Sequence, residues 1–232
     1  MKVREVRAAI GPRPMVAAGL VVAAALANGA ESIGLRLLLP PKPDTKVETL
    51  RLVAENRPTY TALILIGTLA IPLMASAFWV LTGLAREHTP RLAMTARGLL
   101  MAGMWGFLGM HVVSMTQVPL SAAGTREVGA EALTAVEGSA VMGLVFLLPF
   151  LVGCSVGLLL LAVALLRSEL PRWVPLTMLA FLVVDFGLRN PGPVDAHWLW
   201  IAASIGAARF VVRRPAAEPV GVESSPRAVV GA

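Results

Sequence analysis

The chain has 232 residues, of which 56% are hydrophobic and only 15% are charged, and its mean hydropathy is +0.75. Because soluble domains carry about 25% charged residues, this composition excludes an ordinary soluble domain and indicates a membrane protein. The formal net charge of +6 comes from short basic clusters between long apolar runs, without a basic stripe of interleaved aromatic residues, so nucleic acid is not an expected partner.

Six apolar segments are predicted to be transmembrane helices. A helix needs about 20 mostly apolar residues to cross a hydrocarbon core about 30 Å thick. The segments that reach or approach this length are residues 14–39, 60–84, 97–119, 137–166, 173–189 and 195–212. Pro72 and Pro149 are expected to kink the second and fourth helices. The sequence therefore predicts an all-α polytopic membrane protein whose transmembrane domain covers residues 14–212.

The first apolar segment has two interpretations. Its basic start, the run "MVAAGLVVAAALA" and the small residues Ala25 and Ala27 resemble a secretory signal peptide with its cleavage site. The apolar character resumes at residues 33–39, beyond that site, which favours a retained helix. Both interpretations stay open from the sequence, and they leave the topology of the remaining helices unchanged.

Residues 40–58 form the one sizeable polar segment between the first two spans. Thr45 and Glu48 have the spacing of a capping box, in which each side chain satisfies a backbone amide of the first helical turn. Apolar residues then recur at helical spacing, at Val47, Leu50, Val53 and Ala54. The segment is therefore predicted to be a short amphipathic helix that ends at Pro58 and lies over the outer mouth of the bundle.

The distribution of basic residues predicts the orientation. Arg and Lys concentrate at both ends of the chain and in the short connections 86–97 and 167–172. Because cytoplasmic loops are enriched in Lys and Arg, both termini are expected in the cytoplasm and the protein in the cytoplasmic membrane. Residues 1–13 would be a cytoplasmic N-terminus. Residues 213–232 lack periodicity and are rich in Pro, Ala and Val, so they are predicted to be a disordered cytoplasmic tail.

Ionisable residues inside the predicted spans indicate a site. Such residues are costly in lipid and usually face the bundle interior or water. Measured at about 1.5 Å per residue from the cytoplasmic end of its helix, Asp185 lies about 18 Å deep, His111 about 21 Å and Glu31 about 26 Å. Glu137 and His197 lie near the outer interface. These positions predict a polar pocket in the outer leaflet, with Glu31, His111 and Asp185 as contacts and Glu137 and His197 at its rim.

A simpler interpretation is that these side chains reach the outer headgroups separately. It suits Glu137 and His197, but it explains the deeper Asp185 and His111 poorly because their side chains are short. His111 is expected to face the bundle and to form a hydrogen bond with Asp185 or Glu31.

His111 also shares a helical face with four methionines, Met94, Met101, Met104 and Met115. Thioethers with an imidazole suit Cu(I), and paired histidines on different helices suit haem. A methionine stripe is more often adaptable packing, and the single cysteine, Cys154, provides no Cys-x-x-Cys site. No cofactor is therefore expected. The residues that haem or copper would use are His111, Met115 and His197.

Small residues predict where helices approach closely. They lie on the third and fourth predicted helices, at Gly98, Gly103, Gly106, Gly109, Gly153 and Gly157. Glycines at such spacing let two membrane helices pack backbone against backbone, which is a structural role rather than a functional one.

Two stretches carry a resemblance to known proteins. The segment "ENRPTYTALILIGTLA" after the outer loop and the basic connection "AREHTPRLAMTARG", within six spans, resemble uncharacterised bacterial integral membrane proteins of the domain-of-unknown-function type. The resemblance covers about residues 14–212. It implies a multi-pass membrane protein of unknown role and assigns no catalytic residue.

The function predicted from the sequence is non-enzymatic, since the chain has no phosphate-binding loop, HExxH or GxSxG motif. The outer pocket would bind a small ligand, a lipid or a helix of another membrane protein. One alternative is a secondary transporter or proton-coupled carrier in which Asp185 and His111 exchange protons, although the inner halves of the helices offer few ionisable groups for a pathway. Another is a haem- or copper-binding redox protein.

Overall fold

The computed structural model describes residues 14–188 and 194–213, and all regular structure in these two ranges is helical. The helices are α1 (Pro14–Leu38), α2 (Lys46–Glu55), α3 (Arg57–Arg86), α4 (Pro90–Leu120), α5 (Arg126–Glu137), α6 (Leu148–Leu166), α7 (Trp173–Leu182) and α8 (His197–Arg213). There are also two π-helical segments. The first, π1 (Met142–Leu147), leads directly into α6, and the second, π2 (Val183–Gly187), directly follows α7. The predicted N-terminal segment 1–13 and all of the predicted tail 213–232 except Arg213 lie outside the described residues, and Arg213 is the last residue of α8.

Four of the helices are long and apolar enough to cross a membrane: α1, α3, α4 and the continuous π1–α6 segment. These four fit a multi-pass helical membrane protein. The apolar segment Trp173–Gly187 and helix α8 are shorter, and α8 has 17 residues. A helix of that length reaches only about 26 Å, which is less than a hydrocarbon core of about 30 Å.

Six helical elements close into a ring. Going round it, α1 packs on α3, α3 on α4, α4 on α6, α6 on α7, α7 on α8, and α8 returns to α1. The main hydrophobic core lies inside this ring, with Phe78, Leu100, Leu161 and Trp200 among its fully buried side chains. Large apolar side chains also point outward, such as Leu69, which is 66% exposed. An outward-facing apolar surface of this kind suits a lipid environment.

The tightest approach in the ring is between α4 and the π1–α6 segment, and glycines make it possible. A Cβ at Gly103 would lie 2.8 Å from the backbone nitrogen of Cys154, and a Cβ at Gly106 would overlap the backbone of Phe146 and Phe150. The predicted role of these glycines in close packing is confirmed. Gly98 is an exception, because a Cβ there would meet nothing within 4 Å.

The amphipathic helix predicted between the first two spans is confirmed as α2. Thr45 is its N-cap: the hydroxyl accepts from the Glu48 amide at 3.2 Å and donates to the Glu48 carboxylate at 3.0 Å. Leu50 and Val53 are fully buried. The helix ends at Glu55, and α3 begins at Arg57 with Pro58 in its first turn, as expected for a residue without an amide proton.

Helix α5 was not predicted, and its presence moves the start of the fourth predicted span. The fourth span was predicted to begin at residue 137, but Glu137 is the last residue of α5, and helical structure resumes only after the turn at Gly138 and Ser139. Helix α5 packs on α2, where Ala130 and Leu133 contact the cluster around Leu50. We call the end of the ring that carries these two short helices the α2/α5 end.

The basic connection predicted at residues 86–97 is also shorter than expected. Helix α3 continues to Arg86 and α4 begins at Pro90, so the second half of this segment is helical. Arg97 is buried rather than in a loop: its Nε donates to the Thr82 hydroxyl at 2.8 Å, and its guanidinium lies 4.0 Å over the Trp79 ring. The backbone carbonyl of Trp79 accepts a second hydrogen bond from Arg97.

Candidate functional site

A cavity of about 260 Å³ lies inside the ring, in the half nearer the α2/α5 end. All six helical elements of the ring contribute to its wall. The cavity contains four of the five residues predicted for the polar pocket, namely Glu31, His111, Asp185 and His197. The remaining lining residues are mostly apolar, with Asn28, Ser32 and Cys154 as the other polar side chains.

Glu31 of α1 and His111 of α4 form a buried pair. The Nε2 atom of His111 lies 2.9 Å and 3.0 Å from the two carboxylate oxygens of Glu31, and the other ring nitrogen, Nδ1, lies 3.1 Å from the backbone carbonyl of Phe107. A carbonyl can only accept, so Nδ1 carries a proton and donates it. One further proton is then shared between Glu31 and Nε2. The pair is therefore neutral overall, as a carboxylate–imidazolium or as an acid–imidazole.

A glycine on α3 makes room for this pair. A Cβ at Gly67 would overlap the carboxylate of Glu31, so the acid lies directly against the α3 backbone. Any other residue at position 67 would displace the carboxylate or the helix. Sequence analysis did not single out Gly67, because a lone glycine in an apolar helix carries no signal of what lies against it.

A second histidine–carboxylate pair lies where α8 begins. The Oδ1 atom of Asp195 accepts from the His197 amide at 2.9 Å and lies 2.8 Å from His197 Nδ1, and Oδ2 accepts from the Ser32 hydroxyl at 3.0 Å. Asp195 is only 5% exposed. It caps the first turn of α8, fixes the ring of His197 and ties α8 to α1. With Nδ1 bound to Asp195, Nε2 is the nitrogen of His197 left for other contacts.

Asp195 was missed from sequence although it lies within a predicted span. An acid two residues before a histidine at a helix start is a recognisable signal, since such acids often cap the helix and orient the imidazole. His197, predicted for the rim of the pocket, is one of the residues that line the cavity. It is 9% exposed, and the centroid of its ring lies 5.3 Å from that of the Phe181 ring in a T-shaped arrangement.

Asp185 lies in π2 and lines the cavity from the α7 side. Its side chain is half-buried, and no hydrogen bond or ion pair to it is present among the residues that the structure describes. A π-helical turn inserts one extra residue and redirects the side chains around it, and such turns are frequent at functional sites. In π2 this places Asp185 and Phe186 together at the cavity.

Five phenylalanine rings form much of the remaining wall, contributed by Phe78, Phe107, Phe150, Phe181 and Phe186. The Phe107 and Phe150 rings stack with centroids 5.1 Å apart, and the Phe186 ring lies 6.2 Å from Phe150. The cavity is therefore an aromatic chamber with carboxylate and imidazole groups set into its wall.

Glu137 is not part of this cavity. At the C-terminal end of α5 it forms an ion pair with Lys46 of α2, and both side chains are about one-third exposed. The prediction that Glu137 lies at the pocket rim assumed that the fourth span begins there. Because α5 ends at Glu137 instead, the carboxylate turns toward the neighbouring short helix.

The residues predicted for haem or copper are not all brought together. His111 and His197 both line the cavity, but Met115 packs elsewhere, in the cluster around Val53 and Tyr60. Met104 is the one member of the methionine stripe that reaches the cavity wall. Within residues 14–188 and 194–213, no group of three or more His, Cys, Asp or Glu side chains is placed to hold a metal ion.

No protein-family model, curated protein sequence or solved structure matches this chain. The resemblance to uncharacterised bacterial membrane proteins therefore stays a prediction, and so does a ligand-binding role for Glu31, His111, Asp185 and His197. Any functional proposal therefore depends on the residues that line the cavity.

Proposed function

We propose that this chain is a non-enzymatic, six-span protein of the cytoplasmic membrane whose cavity binds a small ligand from the outer side. Both termini would lie in the cytoplasm, with α7–π2 and α8 as the fifth and sixth spans. The arrangement of basic residues supports this orientation, because Arg86, Arg91 and Arg213 lie at helix ends opposite the α2/α5 end.

The observation that carries the ligand-binding proposal is the convergence of Glu31, His111, Asp185 and His197 on one cavity. These four residues come from α1, α4, π2 and α8, which are far apart in the sequence. Ionisable groups within membrane helices are expensive, and those that face a common cavity mark ligand or ion sites more often than structural packing. A mostly apolar cavity with a few convergent polar groups is also the usual form of a small-molecule site.

A cysteine-labelling experiment tests whether the cavity is open to water on the outer side. Cys154 is the only cysteine, so a Cys154→Ala chain is a suitable background. In that background we expect Leu35→Cys, which lines the cavity, to react with a small membrane-impermeant thiosulfonate added to right-side-out vesicles. The control is Leu69→Cys, whose side chain is 66% exposed on the apolar outer surface and should not react in lipid.

The outcomes separate the parts of the proposal. Labelling of Leu35→Cys from the outer side supports both the pocket and its orientation, and labelling from the inner side alone would reverse the orientation. Equal, slow labelling of Leu35→Cys and Leu69→Cys would contradict a water-accessible pocket.

A proton-coupled carrier is the second candidate, and the shared proton of the Glu31–His111 pair is the observation that favours it. Asp185 lies in the same cavity, so a proton and a ligand could affect one another there. A carrier should lose transport of a bound ligand in Asp185→Asn while the protein still folds. A protein that only binds its ligand should show no transport in either form.

A further inference from the structure

We infer that the cavity takes a small organic cation, an aromatic or alkyl ammonium whose charge lies at Asp185 and whose apolar body lies among the phenylalanine rings. This inference rests on the proposed function, since it names the ligand class of the same cavity.

Within residues 14–188 and 194–213, the hydrogen bonds of the cavity leave one carboxylate without a donor. Glu31 is bound by His111, and Asp195 accepts from Ser32 and from two groups of His197. Asp185 has no donor among the described residues. A half-buried carboxylate is stabilised by a donor, and an ammonium group supplies a charge-assisted hydrogen bond.

The net charge of the site also favours a cation. The Glu31–His111 pair is neutral in either proton arrangement. The Asp195–His197 pair contributes no net charge if His197 is protonated and one negative charge if it is neutral. With Asp185 ionised the site is therefore negative in both cases. Arg36 acts on Asp185 electrostatically but is not among the residues that line the cavity.

The aromatic wall provides the second half of the recognition. Phe186 follows Asp185 directly in π2, and the Phe186, Phe150 and Phe107 rings lie next to one another. The face of an aromatic ring attracts a cation within about 6 Å, and the interaction strengthens when the cation is out of water. The same rings accept an apolar body. An anion would meet neither of these contacts.

The volume of the cavity limits the size of the cation. Drug-sized ligands usually occupy pockets of about 300–1,000 Å³. At about 260 Å³ this cavity is smaller, which suits an amine with a single ring or a short alkyl chain.

Three probes of similar shape and different charge test the inference. 2-Phenylethylamine is a cation at pH 7, 2-phenylethanol is neutral and phenylacetate is an anion. Calorimetric titration of the full chain in detergent should show binding of the amine at least tenfold tighter than that of the alcohol or the acid. Asp185→Asn should weaken amine binding about tenfold or more, and Asp185→Glu should restore much of it. Glu137→Gln, which removes a carboxylate outside the cavity, should leave amine binding unchanged.

Several results would overturn the inference. Equal binding of the amine and the alcohol, preferred binding of phenylacetate, or amine binding unaffected by Asp185→Asn would each remove the cation preference. Absence of binding by all three probes would also overturn it.

If Leu35→Cys is still labelled from the outer side, the pocket proposal survives these results. If that labelling fails as well, both proposals fail. Thermal unfolding of each variant shows whether it is folded, and the Asp185→Glu result separates loss of the charge from loss of the fold.

Discussion

At the scale of single residues, the Glu31 carboxylate is held between the His111 ring and the backbone of Gly67. We expect Gly67→Ala to push the carboxylate away from His111 and to lower the free energy of unfolding by about 1–3 kcal/mol, the usual loss when a buried polar group loses its partner. Gly83→Ala on the same helix is the matched control, because a Cβ there meets nothing within 4 Å. Thermal unfolding in detergent measures both. Equal effects of the two substitutions would contradict a special role for Gly67.

The Glu31–His111 pair itself should behave as one unit. Removing either partner leaves the other buried and uncompensated, so Glu31→Ala and His111→Ala should each cost about 3–5 kcal/mol of stability. The double variant should then lose clearly less than the sum of the two single losses, because residues in contact are not additive. Equilibrium unfolding of the four proteins in one detergent gives this cycle. Simple additivity would show that the two side chains do not interact.

The sequence singled out four of the residues that line the cavity. Glu31, His111, Asp185 and His197 stand out because few ionisable residues occur within apolar runs, and their common position in the outer half of the predicted spans suggests that they converge. Glu137, predicted for the rim, does not line this cavity. It lies at a helix boundary, and the direction of a boundary side chain depends on the path of the connection, which periodicity does not determine.

At the scale of helices, the contact between α4 and α6 depends on positions without a side chain. We expect Gly103→Ala to be destabilising, because its methyl group would lie 2.8 Å from the Cys154 backbone nitrogen and neither backbone can move away cheaply. Gly98→Ala on the same helix should be neutral or slightly stabilising, since Ala is a better helix former by up to about 1 kcal/mol. Thermal unfolding of the two variants compares them directly. A Gly103→Ala protein as stable as Gly98→Ala would mean that the helices can separate without loss.

Sequence patterns succeeded for some helices and failed for others. Helix α2 was predictable because its capping box and apolar spacing agree. Helix α5 was not, since its apolar stripe is made largely of small residues such as Gly129 and Ala130, which periodicity weighs little. The π-helical segments have no sequence signature either. In π2 the extra residue that brings Asp185 and Phe186 together is visible only in the backbone geometry.

At the scale of the whole molecule, six helical elements surround one cavity, but only four of them have clear spanning length. Hydropathy predicts a bundle and cannot predict the order of helices around it, because that order depends on which faces pack. In the ring, the short elements α7–π2 and α8 pack on each other and lie between the longer helices α6 and α1. Under the proposed six-span topology they would require the bilayer to thin locally, which has a modest cost.

The six-span topology makes a prediction about the sides of the membrane. In the Cys154→Ala background, cysteines at Val128 in α5 and at Val194 before α8 should react with an impermeant maleimide outside intact cells, since both side chains are well exposed. His88→Cys, in the basic turn between α3 and α4, should react only in inverted vesicles. Val194 is the decisive position because α7–π2 lies between it and the basic connection 167–172. If Val194→Cys reacts from the same side as His88→Cys, α7–π2 does not cross the membrane and the six-span topology is wrong.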